Sequence, residues 1–529
     1  MEESRTKNTV RNVKTGAIVQ IINKLMAFVV RTVFIKMLNS EYLGINGLFT
    51  NILTILSFTE LGIGTAIIFN MYKPIATKDK EKVKSLMQLY KKCYIIIGTV
   101  VFILGLMIIP FMKFIIKDVP QINENINFIY ILFLFNTASS YFFTYKKSII
   151  SAYQQQSVIN NIDSIFYLGK SIFEIIFLML TRNYIIYLLI QILGTIIENI
   201  VLAIKADRMF PFIKEKNVEV LPKEEKMGIL SNVKSLIVYK FGTIIMNGTD
   251  NILISALINV STVGLCSNYT LIIQSVKSVI ETALNGVTAS VGNLNAIANK
   301  KQKEEVFYQL TFINFIIYSF CSIAFIVLLN PFIEIWIGSE YILELGVSIA
   351  LAVSFFIEGL RNPGYIFRTT LGLFEKGKIT PYVGAIANII ASIVFCKIFG
   401  IMGIFIGTSV AQLVSYAWID PYLIHKYEFN TPFSKYAIKY LKYVIVFAVE
   451  IIISLMLSNL VQNTGISGFI LRCCIVVIIP NLMNLIIFWK SKEFIMLKNK
   501  FLKPVINKRR WNITKIFHFL YVCVTNIYI

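Results

Sequence analysis

The sequence predicts an all-α polytopic membrane protein, two six-helix lobes related by a parallel repeat plus two C-terminal helices, with about 14 transmembrane helices in all. Three observations predict it. Of 529 residues 56% are hydrophobic and only 15% charged, with a mean hydropathy of +0.70, too apolar for a soluble globular protein. Apolar runs of about 20 residues, enough helix to cross ~30 Å of hydrocarbon, recur almost to the C-terminus. Landmarks also repeat at a nearly constant offset of 220 to 221 residues.

In chain order the spans are expected at roughly 15–38, 45–70, 93–116, 126–145, 158–180, 183–204, 236–257, 264–290, 307–329, 343–367, 379–399, 402–424, 443–460 and 467–489. The polar, basic N-terminus runs into the first span without a small-residue cleavage pattern, so that helix is expected to stay in the mature protein. Lys and Arg fix the orientation. Segments on one side hold 39 of them, whereas the other side has only Lys117, Arg182 and Lys397. By the positive-inside rule both termini are cytoplasmic. The net charge of +22 then belongs to a surface facing anionic lipid, which makes nucleic acid a poor partner for it.

The repeat rests on several matches. Asn39 and Gly44 match Asn259 and Gly264, and Phe49-Thr50 matches Tyr269-Thr270; Pro110-Phe111 matches Pro331-Phe332, Lys147 matches Arg368, and Ser171 matches Ser392. An offset of six spans keeps the topology of each half, so the repeats are parallel. The expected organisation is an N-terminal lobe with its cytoplasmic connector at 1–235, a second lobe at 236–424, two added helices at 425–489 and a basic cytoplasmic tail at 490–529. The segment 508–529 begins basic and ends apolar and receives no role.

Soluble catalytic chemistry finds little material. Seven cysteines are scattered without metal-ligand spacing, and His425 and His518 are the only histidines. The outer loops are short. No enzyme activity, cofactor or metal is expected.

The informative residues are charges inside spans. Gln20, Lys24 and Arg31 share one face of the first helix, and a basic side chain at the bilayer centre costs roughly 2.5–3.5 kcal/mol unless it faces a bundle interior or a water-filled path. Polar residues concentrate in the first, second, seventh and eighth spans, including Glu60, Lys240, Asn247, Asp250, Asn251, Gln274, Lys277 and Glu281. Substrate sites in repeat-built transporters lie between the lobes near the midplane, so Lys24, Arg31, Lys240, Lys277, Asn247, Asn251 and Gln274 are the expected substrate-binding set. Glu60, Asp250 and Glu281 are the expected ion-coupling acids, with proton, sodium or no coupling all open. Lys36, Lys113 and Arg472 near span ends are expected to snorkel. Lys170 with Glu174, and Glu358 with Arg361, have the spacing of pairs within one helix.

The stretches SEYLGINGLFTNILTILSFTELGIGTAIIFNMYKPIA (40–76), GLFEKGKITPYVGAIANIIASI (372–393) and GIMGIFIGTSVAQL (400–413) resemble the bacterial polysaccharide and O-antigen-repeat flippases of the multidrug/oligosaccharidyl-lipid/polysaccharide (MOP) exporter superfamily. The resemblance covers most of residues 10–490. It implies a two-lobed transporter in the bacterial cytoplasmic membrane that moves undecaprenyl-diphosphate-linked oligosaccharide to the outer leaflet by alternating access, alongside a polysaccharide polymerase. It also implies a cationic cavity, in keeping with Lys24, Arg31, Lys240 and Lys277. Three alternatives stand beside it: a lipid-linked peptidoglycan-precursor flippase, a multidrug antiporter of the same superfamily, and a membrane polysaccharide polymerase or ligase.

Overall fold

The computed structural model describes residues 2–498 other than 58–59, 119, 216–217, 220, 230–241, 243, 246–247 and 374; side chains are described from residue 19 onward, without those of 60–63, 65–67, 283, 285–286, 289, 296 and 375. Of this, 88% is helical, and no described residue lies in a strand. Among the described residues ten helices are long and apolar enough to cross a membrane, and they coincide with ten of the expected spans, from the third to the sixth and from the ninth to the fourteenth.

The chain divides into two compact units, Met1–Ser267 and Asn268–Ile529. The first contains α1 (Glu2–Met37), α2 (Ser40–Leu56), α3 (Glu60–Ala76), α4 (Lys80–Ile108), α5 (Met112–Ile115), α6 (Ile126–Ala152), α7 (Gln156–Thr181), α8 (Tyr184–Met209) and α9 (Asp250–Leu257). It ends within α10 (Val260–Ile297). The expected span at 45–70 is therefore divided between α2 and α3, and residues 236–241, 243 and 246–247 of the one at 236–257 lie outside the described residues. The spans at 15–38 and 264–290 lie on α1 and α10, which have 36 and 38 residues.

Side chains start these helices where the chain turns. Asn39, Asn125 and Asn183 each accept hydrogen bonds from the first free backbone N–H groups of α2, α6 and α8. Around α4, Met71, Tyr90, Tyr94, Ile149 and Phe210 form one buried cluster. At the start of α4 the connector that follows α8 is stapled down: Lys84, almost fully buried, bonds Glu215 and Glu81 at 2.6 Å each, and Lys82 pairs with Glu225.

The second unit continues through α11 (Lys300–Ile337), α12 (Leu345–Thr370), α13 (Thr380–Phe399), α14 (Ile401–Val414), α15 (Tyr416–Ile424), α16 (Ser434–Asn459), α17 (Gly465–Phe488) and α18 (Lys492–Leu497). The axis of this unit is α11. Its most apolar window is 61% buried, against 17% for α17, so α11 sits in the middle and α17 turns its Leu and Ile outward as a lipid-facing helix does. An aromatic ladder holds α16 and α17 to it: Phe315 stacks on Tyr443 with centroids 4.5 Å apart, and Phe488 meets Phe312 at 5.2 Å. The hairpin of α13 and α14 depends on small residues. A Cβ on Gly403 would stand 2.0 Å from the Phe395 carbonyl oxygen, and one on Gly407 2.4 Å from the Ser392 nitrogen.

The repeat has a structural counterpart. Asn259 Oδ1 accepts the Thr262 N–H at 2.8 Å, so α10 starts on the same cap as α2. Gly44 and Gly264 meet where these two helices cross. A Cβ on Gly44 would lie 1.9 Å from the Val260 carbonyl oxygen, and one on Gly264 2.1 Å from that of Ser40. Beside them the Ser40 and Ser261 hydroxyls are 3.0 Å apart. No larger residue permits backbones to approach so closely.

Candidate functional site

In the first unit the site is built on α1. The helix packs along α7, and Phe34 sets its C-terminal end edge-on against Tyr184 and Tyr187 at 5.9 and 5.1 Å. One turn before Phe34, the half-buried Arg31 donates from Nη1 to the Ser267 hydroxyl at 2.8 Å, and that hydroxyl donates onward to the Gly264 carbonyl at 2.7 Å. Two helical turns earlier is Lys24, also half-buried, which makes no hydrogen bond or ion pair with the described residues. Asn23 beside it donates to Ser164 of α7 at 3.4 Å. Helix α2 joins α9 through Asn51 Nδ2, which donates to the Gly248 carbonyl at 3.3 Å; Gly47 faces Asn251 there. Asp250 opens the first turn of α9.

The bond to Ser267 fixes where the Arg31 guanidinium stands. An anion brought to it then gains a charge-assisted bond, about twice as strong as a neutral one. In a partly desolvated setting two unit charges 4 Å apart interact by about 4 kcal/mol, against about 1 kcal/mol in water.

The second unit treats its cation differently. Lys277 on α10 bonds the Glu358 carboxylate of α12 at 2.6 Å, with Glu281 at 3.9 Å. Glu281 itself is exposed, as is Gln274. Pairing of Glu358 with Arg361 within α12, the arrangement their spacing allowed, is not formed: Glu358 turns to Lys277, and the Arg361 guanidinium lies over the Tyr416 ring, 3.5 Å from its centroid. Nor do Lys170 and Glu174 form an ion pair among the described residues. Glu174 is buried, and the Lys170 stem packs into the space left by Gly194. Of the end-of-span cations, Lys36 and Lys113 are exposed, and Arg472 donates to the Val461 carbonyl at 3.0 Å.

Lys240 and Asn247 lie outside the described residues, and so does the side chain of Glu60. Ser267, the partner of Arg31, was absent from the expected set. Sequence periodicity finds polar faces on one helix but does not tell which hydroxyl of a distant helix reaches them. Among the described residues no group of three His, Cys, Asp or Glu side chains is placed to hold a metal.

No protein-family model matches the chain, and no curated protein matches it in sequence. Solved structures do resemble it. The lipid II flippase MurJ, in an inward closed conformation, superposes with a TM-score of 0.61 at 15% identity, over 90% of this chain and 98% of that one. An inward-facing multidrug-resistance MATE transporter of the MOP superfamily gives 0.55 at 16% identity, over 76% and 97%. A MATE transporter of Vibrio cholerae in its bent form gives 0.51 at 12% identity, over 81% and 98%. At these identities the likeness is one of fold: the chain is a multi-pass membrane protein with the fold of MOP-superfamily transporters.

Proposed function

We propose that the protein is a flippase that carries an undecaprenyl-diphosphate-linked oligosaccharide repeat unit across the bacterial cytoplasmic membrane by alternating access, for surface polysaccharide synthesis. The observation that carries this reading is Arg31: a half-buried cation inside a long apolar helix, its guanidinium fixed by a bond to the Ser267 hydroxyl. Fixed positive charge suits an anionic diphosphate that cannot cross hydrocarbon unaided. Lys24 shares its face of α1 and supplies a second charge to the same head group. Asn251 on α9 suits sugar hydroxyls, which need neutral donors and acceptors. From the rest of the expected set, Lys277, Lys240, Asn247 and Gln274 are proposed to complete the site; Lys277 does so by exchanging Glu358 for substrate.

A lipid-linked peptidoglycan precursor is the second reading, favoured by the fold likeness to the lipid II flippase over nine-tenths of the chain. Both readings require the same fixed positive charge. A MATE-like drug antiporter fits less well, since cationic drugs gain nothing from Arg31 and Lys24.

The test is translocation of the lipid-linked precursor in cells and in proteoliposomes. Arg31→Ala is expected to reduce it roughly 10- to 100-fold, the equivalent of one or two charge-assisted hydrogen bonds, with expression unchanged. Undiminished translocation by a normally expressed variant overturns the assignment. In cells lacking the protein, the precursor that accumulates in the inner leaflet, with polysaccharide sugars or with peptidoglycan sugars, separates the two readings.

A further inference from the structure

The two C-terminal helices hold an acid without a hydrogen-bond or ion-pair partner among the described residues. Glu450, near the middle of α16, has no solvent exposure, and neither of its carboxylate oxygens has a hydrogen-bond partner among the described residues. One turn on, Ser454 is equally buried and its hydroxyl equally unbonded. On the neighbouring helix α17, Asn484 is buried too, and its Oδ1 is likewise unbonded. Glu450 and Ser454 thus put side-chain oxygens on successive turns of one face of a mostly apolar span.

The neighbouring helices bring further oxygens to the same depth. Phe307 meets Tyr436 and Phe315 meets Tyr443, so α11 and α16 run parallel in register. Seven residues beyond the second of these contacts, about 10.5 Å along each helix, stand Ser322 and Glu450. The Ser322 hydroxyl is fully buried and unbonded. Helix α17 runs the other way, with Phe488 beside Phe315 and Phe469 beside Phe332. Pro480, inside α17 and buried, has no N–H to give the Val476 carbonyl, which frees one more oxygen on the stripe Val476, Pro480, Asn484.

Fixed cations are remote or engaged. On α16 the nearest is Lys442, eight residues away and over the Phe488 ring; Lys439 pairs with Glu493, and Lys435 is further still. The charges of α11 lie at its ends, Lys300 to Glu305 and Glu334, and the α17 charge, Arg472, is bonded to outer-end carbonyls. Helix α12 touches α16 through Phe356 and Phe447; its Glu358 holds Lys277, and its Arg361 lies on Tyr416. The other titratable groups on these faces are Tyr308, Tyr318 and Cys321 of α11, Tyr436, Tyr440 and Tyr443 of α16, and Cys473 and Cys474 of α17. None is a cation.

We propose that Glu450, with Ser454, Asn484, Ser322 and the Val476 carbonyl, forms a binding site for one monovalent cation within the C-terminal helices. A single carboxylate among neutral oxygens is cancelled by one positive charge, and hard oxygen ligands select a proton or sodium over a soft metal. The site stands on the packing of the second unit alone. It does not require the transport reading, and its test reads ion binding rather than flipping.

The experiment uses the purified full-length chain in detergent, with thermal unfolding followed in sodium chloride against choline chloride at alkaline pH, and separately on acidification in choline chloride. Wild type is expected to be stabilised by sodium if sodium is the ligand, and by acid if the proton is. Glu450→Gln is expected to abolish whichever response wild type shows. Should that variant fail to fold, Asn484→Ala keeps the carboxyl and is expected to raise the half-saturating concentration of the ion by roughly 10-fold or more, as loss of an orienting partner does at metal sites. A wild-type protein indifferent to both ions, a Glu450→Gln variant that responds as wild type does, or an Asn484→Ala variant with an unshifted midpoint overturns the proposal.

Discussion

Lys147 and Arg368 stand at corresponding places in the two halves of the sequence, yet the structure gives them opposite surroundings. Lys147 reaches Asp163 at 2.8 Å with both side chains about one-third exposed, 31% and 36%. Arg368 bonds Asp420 at 2.6 Å with both at 0%. The first pair exchanges contacts with water at little gain or loss. The second cannot be separated without leaving a bare charge in the interior. Sequence correspondence conserved a basic residue at the end of the helix, while packing decided whether that residue is ornament or keystone.

That contrast is open to direct attack. Arg368→Ala should produce the largest effect, a loss of about 3–5 kcal/mol, because Asp420 is left buried and unpaired. Replacing both partners by Met and Leu should return most of it. Thermal or denaturant unfolding in detergent measures both, and a double variant no more stable than Arg368→Ala would mean that the cost lies elsewhere.

Gly264→Ala comes next, at about 1–3 kcal/mol, since its Cβ would press on the Ser40 backbone and force the α2 and α10 crossing apart. Gly169→Ala on α7 is the control. Nothing lies within 4 Å of its Cβ, so helix propensity should make it neutral or stabilising by up to about 1 kcal/mol. Equal effects at the two glycines would remove close approach as the reason for Gly264.

The smallest change belongs to Lys147→Ala, below about 1 kcal/mol and diminished further by salt. A loss comparable to that of Arg368→Ala would show that the two halves are built alike after all. Unfolding midpoints at low and high ionic strength decide it.

Much of this architecture is legible in the residues themselves. Ten spans announce themselves by length and hydropathy, and the caps Asn39 and Asn259 can be matched before any helix is seen. The polar face of α1 follows from spacing alone. Glu450 shows the limit of that approach: one acid in a run such as YVIVFAVEIIISLML changes mean hydropathy little, so the span reads as one more apolar helix. Its neighbours Ser322 and Asn484 lie 128 residues before it and 34 after it in the chain, beyond the reach of any local pattern. Likewise Glu358, three residues from Arg361, satisfies the spacing rule for a partner it does not take.

By itself the sequence determined the membrane class, the place of ten spans, the repeat and the presence of costly cations in α1, because each follows from periodicity and transfer energy, which act locally along the chain. Only the tertiary structure decided which charges are cancelled. Lys277 found Glu358 and Arg368 found Asp420, while the carboxylate of Glu450 is left without a hydrogen-bond partner among the described residues. Coulomb and desolvation energies depend on distance and burial in space, and a linear order of residues contains neither.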